Sequence, residues 1–219
     1  MDGKLVELLI QGSLETIYMT LASTAIAYVF GVPLGVLVYG TDQKGIFPNK
    51  VLNAVLGFII NSIRSVPFLI LLIFILPFTR LVVGTTIGSN ATIVPLVVAA
   101  TPFVARMVES SLREVEEGVI EAAKAMGCSK LQIVTKVLLP EAQPSLLSGL
   151  TIAIATILGY SAMAGIVGGG GLGAIAINYG YYRYQGDMMA ITVVLLIVIV
   201  QIFQELGNRF VVKTDKRLK

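Results

Sequence analysis

The chain has 219 residues, of which 56% are hydrophobic and 13% charged, with a net charge of +3 and no histidine. Its mean hydropathy of +0.87 and its apolar runs of span length exclude an ordinary soluble domain, because a hydrocarbon core about 30 Å thick needs roughly 20 apolar residues of helix. The lack of histidine removes most proton-relay, metal and triad chemistry, and the single cysteine, Cys128, removes an internal disulfide and a cysteine-based zinc site.

An all-α integral membrane protein is therefore predicted, one transmembrane domain over residues 1–219 with five spans. No basic region precedes the first apolar stretch, so no secretory signal peptide is expected. The first span covers residues 13–39 and holds Gly31, Pro33 and Gly35, residues that bend or open a helix. A polar turn, 41–50, leads to the second span, 51–76, interrupted by Arg64 and Pro67. Residues 77–90 read as a loop rich in glycine and threonine, and the third span, 91–107, is short and contains Pro95 and Pro102. The fourth span covers 146–167 and the fifth 188–206, with a glycine run and a tyrosine-rich loop between them.

Residues 114–140, with the leading Arg113, form a charged island. Glu114, Glu116 and Glu117 suit the first turn of a short helix and Lys124 its end, as the helix dipole favours. Gly127 stands where a left-handed C-terminal cap belongs. Ser129 and Gln132 have capping-box spacing, so a second helix starts there. Leu131, Val134 and Leu138 make its apolar stripe, and Pro140 is expected to stop it.

With this island on the inner side, inner segments hold twelve of the sixteen basic residues: Lys44, Lys50, Arg106, Arg113, Lys124, Lys130, Lys136, Arg209, Lys213, Lys216, Arg217 and Lys219. The basic residues then sit inside, as membrane topology favours, with the N-terminus outside and the C-terminus cytoplasmic. The basic pI follows from that topology, and no nucleic-acid partner is expected.

No predicted span carries an interior Asp or Glu; Glu15 lies at the edge of the first. Ion-coupled carriers need such a carboxylate, so a secondary transporter is disfavoured. No catalytic or metal-binding residues are proposed. Arg64 is the one strong charge well inside a span, and two readings stand open: it lines a pathway, or it snorkels to the inner headgroups. Residues 159–173, GYSAMAGIVGGGGLG, hold Tyr160, Ser161 and Met163 before a glycine turn of Gly168, Gly169, Gly170, Gly171 and Gly173. The turn breaks the helix, and its backbone is available to line an outer vestibule. Met163 is either a gate plug or a packing methionine. Tyr179, Tyr181, Tyr182 and Tyr184 with Arg183 suit an interfacial aromatic belt, which a delivery protein's contact surface could overlap.

Glu121, Ala122 and Ala123, then three residues, Gly127, nine residues, and Val137, Leu138, Leu139 and Pro140 resemble the EAA loop of binding-protein-dependent ABC importer permeases. Valine stands at 137 where that family usually has isoleucine. The resemblance implies that 109–144 is a cytoplasmic coupling loop. Glu121, Ala122, Ala123, Gly127, Leu139 and Pro140 would then engage a separate ATPase. The five-span layout, the GYSAMAG stretch running into GGGGLG, and AINYGYYRYQ look like the methionine-import permeases, the MetI-like branch. That resemblance implies a bacterial cell-membrane homodimer that binds no cofactor itself. It implies two copies of an ABC ATPase carrying ATP-Mg, and an extracytoplasmic substrate-binding lipoprotein that delivers methionine, D- and/or L-. The alternatives are a non-transporting scaffold or sensor partnered with an ATPase, and a permease for another amino acid.

Overall fold

The computed structural model describes residues 3–214, so Lys216, Arg217 and Lys219, counted above for orientation, lie outside the described residues. All regular structure among the described residues is helical. The first helix, α1, runs Gly3–Thr41, and α2 (Lys50–Ser65) is followed by α3 (Phe68–Phe74) and α4 (Leu76–Val83). Next come α5 (Ser89–Arg113), α6 (Glu117–Ala125), α7 (Lys130–Gln132), α8 (Leu139–Glu141), α9 (Gln143–Ala164), α10 (Gly171–Ile175) and α11 (Gly186–Thr214). Among the described residues, four helical stretches are long and apolar enough to cross a membrane: Gly3–Thr41, Ser89–Arg113, Gln143–Tyr181 and Gly186–Thr214. The pair α2 and α3 passes the same test together but is bent by 101° at Val66 and Pro67. Proline removes a helical N–H and restricts the residue before it, which gives the bend its cause.

The helices form two compact units. One gathers the residues up to Ala27 with Val66–Ala100 and Ala153–Glu205. Its core is built on Leu9, Leu158, Leu172, Ile175, Met188 and Ile199. Along α1, Thr16, Thr20 and Thr24 repeat every four residues on one buried face, and each hydroxyl donates to the carbonyl four residues back at 2.7–2.8 Å. These three hydroxyls are thereby buried with partners, without which burial would cost about 1–3 kcal/mol each, whereas the Ser23 hydroxyl on the same helix is buried without one.

The second unit gathers Tyr28–Ser65, Thr101–Ile152 and the residues from Leu206 on. Val38, Ile60 and Ala105 form its buried cluster. Here Gly31 and Gly35 have a different role from the expected bend. The helix runs on through Pro33, and the two glycines form the face that α1 lays on α5. A Cβ at Gly31 would fall 2.7 Å from Val104 Cγ1, and one at Gly35 would fall 2.6 Å from the Ala105 carbonyl oxygen. Small residues four apart permit this approach of two backbones. Asn53 then closes the end of α1, donating to the Val38 carbonyl at 2.7 Å and to Thr41 Oγ1 at 3.1 Å.

Several elements differ from their sequence reading. Residues 77–90 are mostly helix: Pro77 sits in the first turn of α4, where its missing N–H costs nothing, and Gly84 caps that helix at φ 84°. Helix α5 continues past residue 107 to Arg113 because its late charges pair with one another. Pro140 does not stop its helix. Residues Ile133–Leu138 form a π-turn, and α8 and α9 follow with hydrogen bonds from Ala142 to Leu138 and from Leu146 to Ala142, both at 2.9 Å. The wider π-turn makes room for the proline ring. The tyrosine-rich loop is also largely helical, with a second π-turn over Ala176–Tyr181.

Candidate functional site

The EAA stretch becomes a helix, an elbow and a capped helix. Only Glu117 of the three early glutamates lies in the first turn of α6, because Glu114 belongs to the bend after α5 and Glu116 is the N-cap. Gly127 adopts φ 79°. Its N–H donates to the Lys124 carbonyl at 3.0 Å, and the Cys128 N–H donates to the Ala123 carbonyl at 3.1 Å, which is the paired closure of a Schellman motif. Both bonds of the capping box are present: Gln132 N–H to Ser129 Oγ at 3.3 Å and Ser129 N–H to Gln132 Oε1 at 2.8 Å.

Within this frame Ala123 and Ile120 are buried, whereas Glu121, Ala122 and Pro140 are exposed and Leu139 is half-buried. The expected stripe shifts: Val134 and Leu138 are buried together with Ile133, but Leu131 is 72% exposed. Met126, on the other side of Gly127, is 77% exposed. Two large apolar side chains thus stand uncovered at the elbow. Met126 was not among the residues expected here, although its place beside the capping glycine at the tip of the loop was a legible signal.

Leading into the loop, α5 carries a buried carboxylate that the sequence analysis also missed. Glu109 Oε2 accepts from Arg106 Nη1 at 2.5 Å, and Glu109 Oε1 accepts from Arg113 Nη2 at 2.8 Å and Nε at 3.3 Å. Arg106 Nη2 also donates to Asn61 Oδ1 at 2.9 Å, and Arg113 Nη2 to Asp42 Oδ2 at 2.5 Å. The Arg113 guanidinium, assisted by the Gln43 N–H, holds the Asp42 carboxyl below its ordinary range. The spacing 106, 109 and 113 puts the three α5 side chains on one helix face, and that periodicity was the available signal. Arg64 is exposed in the last turn of α2, apart from this set.

In the other unit, the Tyr160 ring stacks on Phe68 with centroids 4.5 Å apart and planes 6° off parallel. The buried Ser161 hydroxyl donates to the Leu158 carbonyl at 2.7 Å, and Met163 is 49% exposed. Tyr160 and Ser161 are therefore committed to packing, and Met163 is the one of the three that leaves its own subunit's interior.

The glycine turn is a bonded joint rather than a free backbone surface. Gly168, Gly170 and Gly171 have φ of 82°, 84° and 69°. Gly88 N–H donates to the Gly168 carbonyl at 2.9 Å, and Thr92 Oγ1 donates to the Gly169 carbonyl at 3.1 Å. On the other side, Gly171 N–H donates to Glu15 Oε2 at 2.8 Å and Leu172 N–H to Thr16 Oγ1 at 2.9 Å. Glu15 lies within α1 and holds this turn. Gly171 and Gly173 belong to α10, and Gly173 packs so tightly that a Cβ would meet the Ala162 carbonyl carbon at 2.8 Å. The aromatic cluster is tied by Arg183, whose guanidinium lies 4.4 Å from the Tyr179 ring centre. Among the described residues there is no group of three or more side chains suited to a metal.

The family profile described as "Binding-protein-dependent transport system inner membrane component" matches residues 31–213. A protein of Vibrio cholerae serotype O1, named "Probable D-methionine transport system permease protein MetI", is 51% identical over 211 residues, covering 96% of this chain and 94% of that one. The Escherichia coli K12 protein named "D-methionine transport system permease protein MetI" is 50% identical over 165 residues, 75% of this chain and 76% of that one. A solved structure described as "Inward facing conformations of the MetNI methionine ABC transporter" aligns with a TM-score of 0.97 at 47% identity, over 99% of this chain and 100% of that one. A structure of "an amino acid ABC transporter with histidines" shares the fold alone, at 22% identity and a TM-score of 0.79. With its loop geometry and these likenesses together, the chain belongs to the binding-protein-dependent transport system inner membrane components, in their MetI-like branch.

Proposed function

We propose that this permease subunit moves methionine inward across a bacterial cell membrane, as a homodimer driven by two copies of a separate ABC ATPase and supplied by an extracytoplasmic substrate-binding lipoprotein. The observation that carries the substrate is the near full-length identity of 51% to a relative named as a D-methionine permease. ATP hydrolysis belongs to the partner, as it does throughout this family. Glu121, Ala122, Gly127, Leu139 and Pro140 form the ATPase-facing loop, and Ala123 anchors it from its buried side. On this reading α2 and α3 together make one bent span, giving five spans with the N-terminus outside and the C-terminus cytoplasmic. Impermeant thiol reagents applied to single cysteines at positions 45, 85 and 130 test that orientation; labelling at 130 from outside overturns it.

Met163 is the outer gate, facing its copy across the two-fold axis. Its side chain, 49% exposed, is open to a contact outside its own helices, as this reading requires. Arg64, exposed at the end of α2, is left with the headgroup role, which its position in the last helical turn favours.

Uptake of labelled L- and D-methionine by a transport-deficient strain carrying the complete operon tests the function. ATP-dependent accumulation of either isomer supports it. Copurification of the ATPase without uptake of either isomer points to another amino acid or to a non-transporting subunit. Uptake without the ATPase overturns the mechanism.

A further inference from the structure

We propose that Glu109 is a positioning residue for energy coupling: its carboxylate, clamped between Arg106 and Arg113, locks the start of the coupling loop to α2 and to the α1–α2 loop so that they move as one piece. The inference rests on the coupling-loop assignment above.

Glu109 is only 6% exposed, although it is a carboxylate in an apolar chain. Both of its oxygens are engaged by guanidinium groups, and each guanidinium passes the connection on. Arg106 reaches Asn61 on α2, and Arg113 reaches Asp42 just beyond the end of α1. Arg113 is also the last residue of α5, three before the N-cap of α6. One buried carboxylate therefore ties α5 to α2 and to the α1–α2 loop, at the point where the chain leads into α6. Two carboxylates and two guanidiniums leave the set electrically neutral. The nearby pair of Lys44 and Glu117, at 3.5 Å, is largely exposed and adds little.

Stability alone is a poor reason for such a set. Taking charges out of water offsets most of their attraction, and a packed apolar group of similar volume commonly serves as well. Guanidinium–carboxylate bonds instead supply fixed direction, because the planar fork accepts only a narrow range of geometries. Apolar side chains at a moving joint can slide past one another; this clamp cannot slip without exposing an unpaired buried charge. Such a joint suits a loop that must deliver a push from an ATPase to the helices behind it.

The test uses the complete transporter, permease with its ATPase and binding protein, in proteoliposomes, reading ATP hydrolysed per labelled methionine imported. Glu109→Gln keeps the side chain's shape and removes its charge. The expected result is a complex that assembles and hydrolyses ATP, with a ratio raised by about fivefold or more, the lower end of a typical coupling between sites. Glu109→Asp should recover part of the loss. Asp42→Asn and Asn61→Ala, at the outer ends of the clamp, should raise the ratio by smaller factors and serve if Glu109→Gln does not assemble. An unchanged ratio in assembled Glu109→Gln overturns the proposal, even if its melting temperature falls. So does an unchanged ratio in both end variants should that variant fail to assemble. Gly127→Val separates the two levels: if it leaves ATPase binding and the ratio intact, the coupling-loop assignment falls as well. If it impairs them while Glu109→Gln does not, only the clamp falls.

Discussion

The hydroxyl of Thr16 accepts the backbone N–H of Leu172 at 2.9 Å while donating its own proton to the Gly12 carbonyl at 2.8 Å. Together with Glu15, it satisfies the first two N–H groups of α10, which has no side-chain cap of its own. Thr16→Val keeps the volume and strands a buried donor, so a loss of about 1–3 kcal/mol is expected. Thr16→Ser should stay near the parent. Thermal unfolding in detergent is the measurement, and equal melting of the valine variant would show that Leu172 finds another acceptor.

Gly127→Val should break the elbow. A β-branched residue at φ 79° is strained by about 1–3 kcal/mol, and relief would unwind the Schellman closure. Insertion and dimerisation should persist while copurification of the ATPase falls. Retained copurification together with normal uptake would remove the elbow from the coupling pathway.

Two further glycines should respond in opposite directions. Gly118 lies inside α6 with open space where a Cβ would go, so Gly118→Ala should stabilise the protein by about 0.5–1 kcal/mol through helix propensity. Gly35→Val would push against Val108 and the Ala105 carbonyl and should destabilise by about 1–3 kcal/mol. A melting-temperature series resolves both signs.

Met163→Ala should leave folding intact and let the resting transporter leak substrate without ATP, because the side chain is half exposed and supports little of its own subunit. Met163→Cys, in a Cys128→Ser background, should cross-link between protomers and block uptake. Failure to cross-link under oxidation would place the two copies far apart.

The Asp42 carboxyl is held below its ordinary value, mainly by Arg113. For a carboxyl with a lowered folded value, the stabilisation is complete above the unfolded value of about 3.9 and is lost as pH falls through the folded value. The stability difference between the parent and Asp42→Asn should therefore be flat from neutral pH to about pH 5 and shrink below about pH 4. The effect should be small, since the group is solvent-accessible. A difference that grows towards acid pH would contradict the assignment.

The membrane class and the elbow could be read from the chain because they rest on local physics. Span-length apolar runs, a glycine at a left-handed position and a Ser-x-x-Gln cap are decided within a few residues. What escaped was decided by partners distant in sequence. Gly31 and Gly35 read as helix breakers until Val104, Ala105 and Val108 are seen beside them. Glu109 read as the edge of a loop because its neutralisation by Arg106 and Arg113 extends α5 beyond the apolar run. The glycine run read as an open turn because its bonds go to Glu15 and Thr16 at the far end of the chain. Propensity carries no record of such long-range acceptors.

The π-turns at Ile133–Leu138 and Ala176–Tyr181 each close with a bond to the fifth residue back, Leu139 N–H to Val134 and Tyr182 N–H to Ile177. Each is one residue of surplus length in an otherwise α-helical course. A residue added to a helix rotates everything beyond it by about 100°. A saturation-mutagenesis record of the chain would carry this as a phase slip: the helical period of tolerance through α9 would be displaced by roughly a quarter turn from the one that extrapolating α7 without the π-turn predicts. A single helical wheel drawn through 130–164 therefore assigns faces wrongly on one side of the slip.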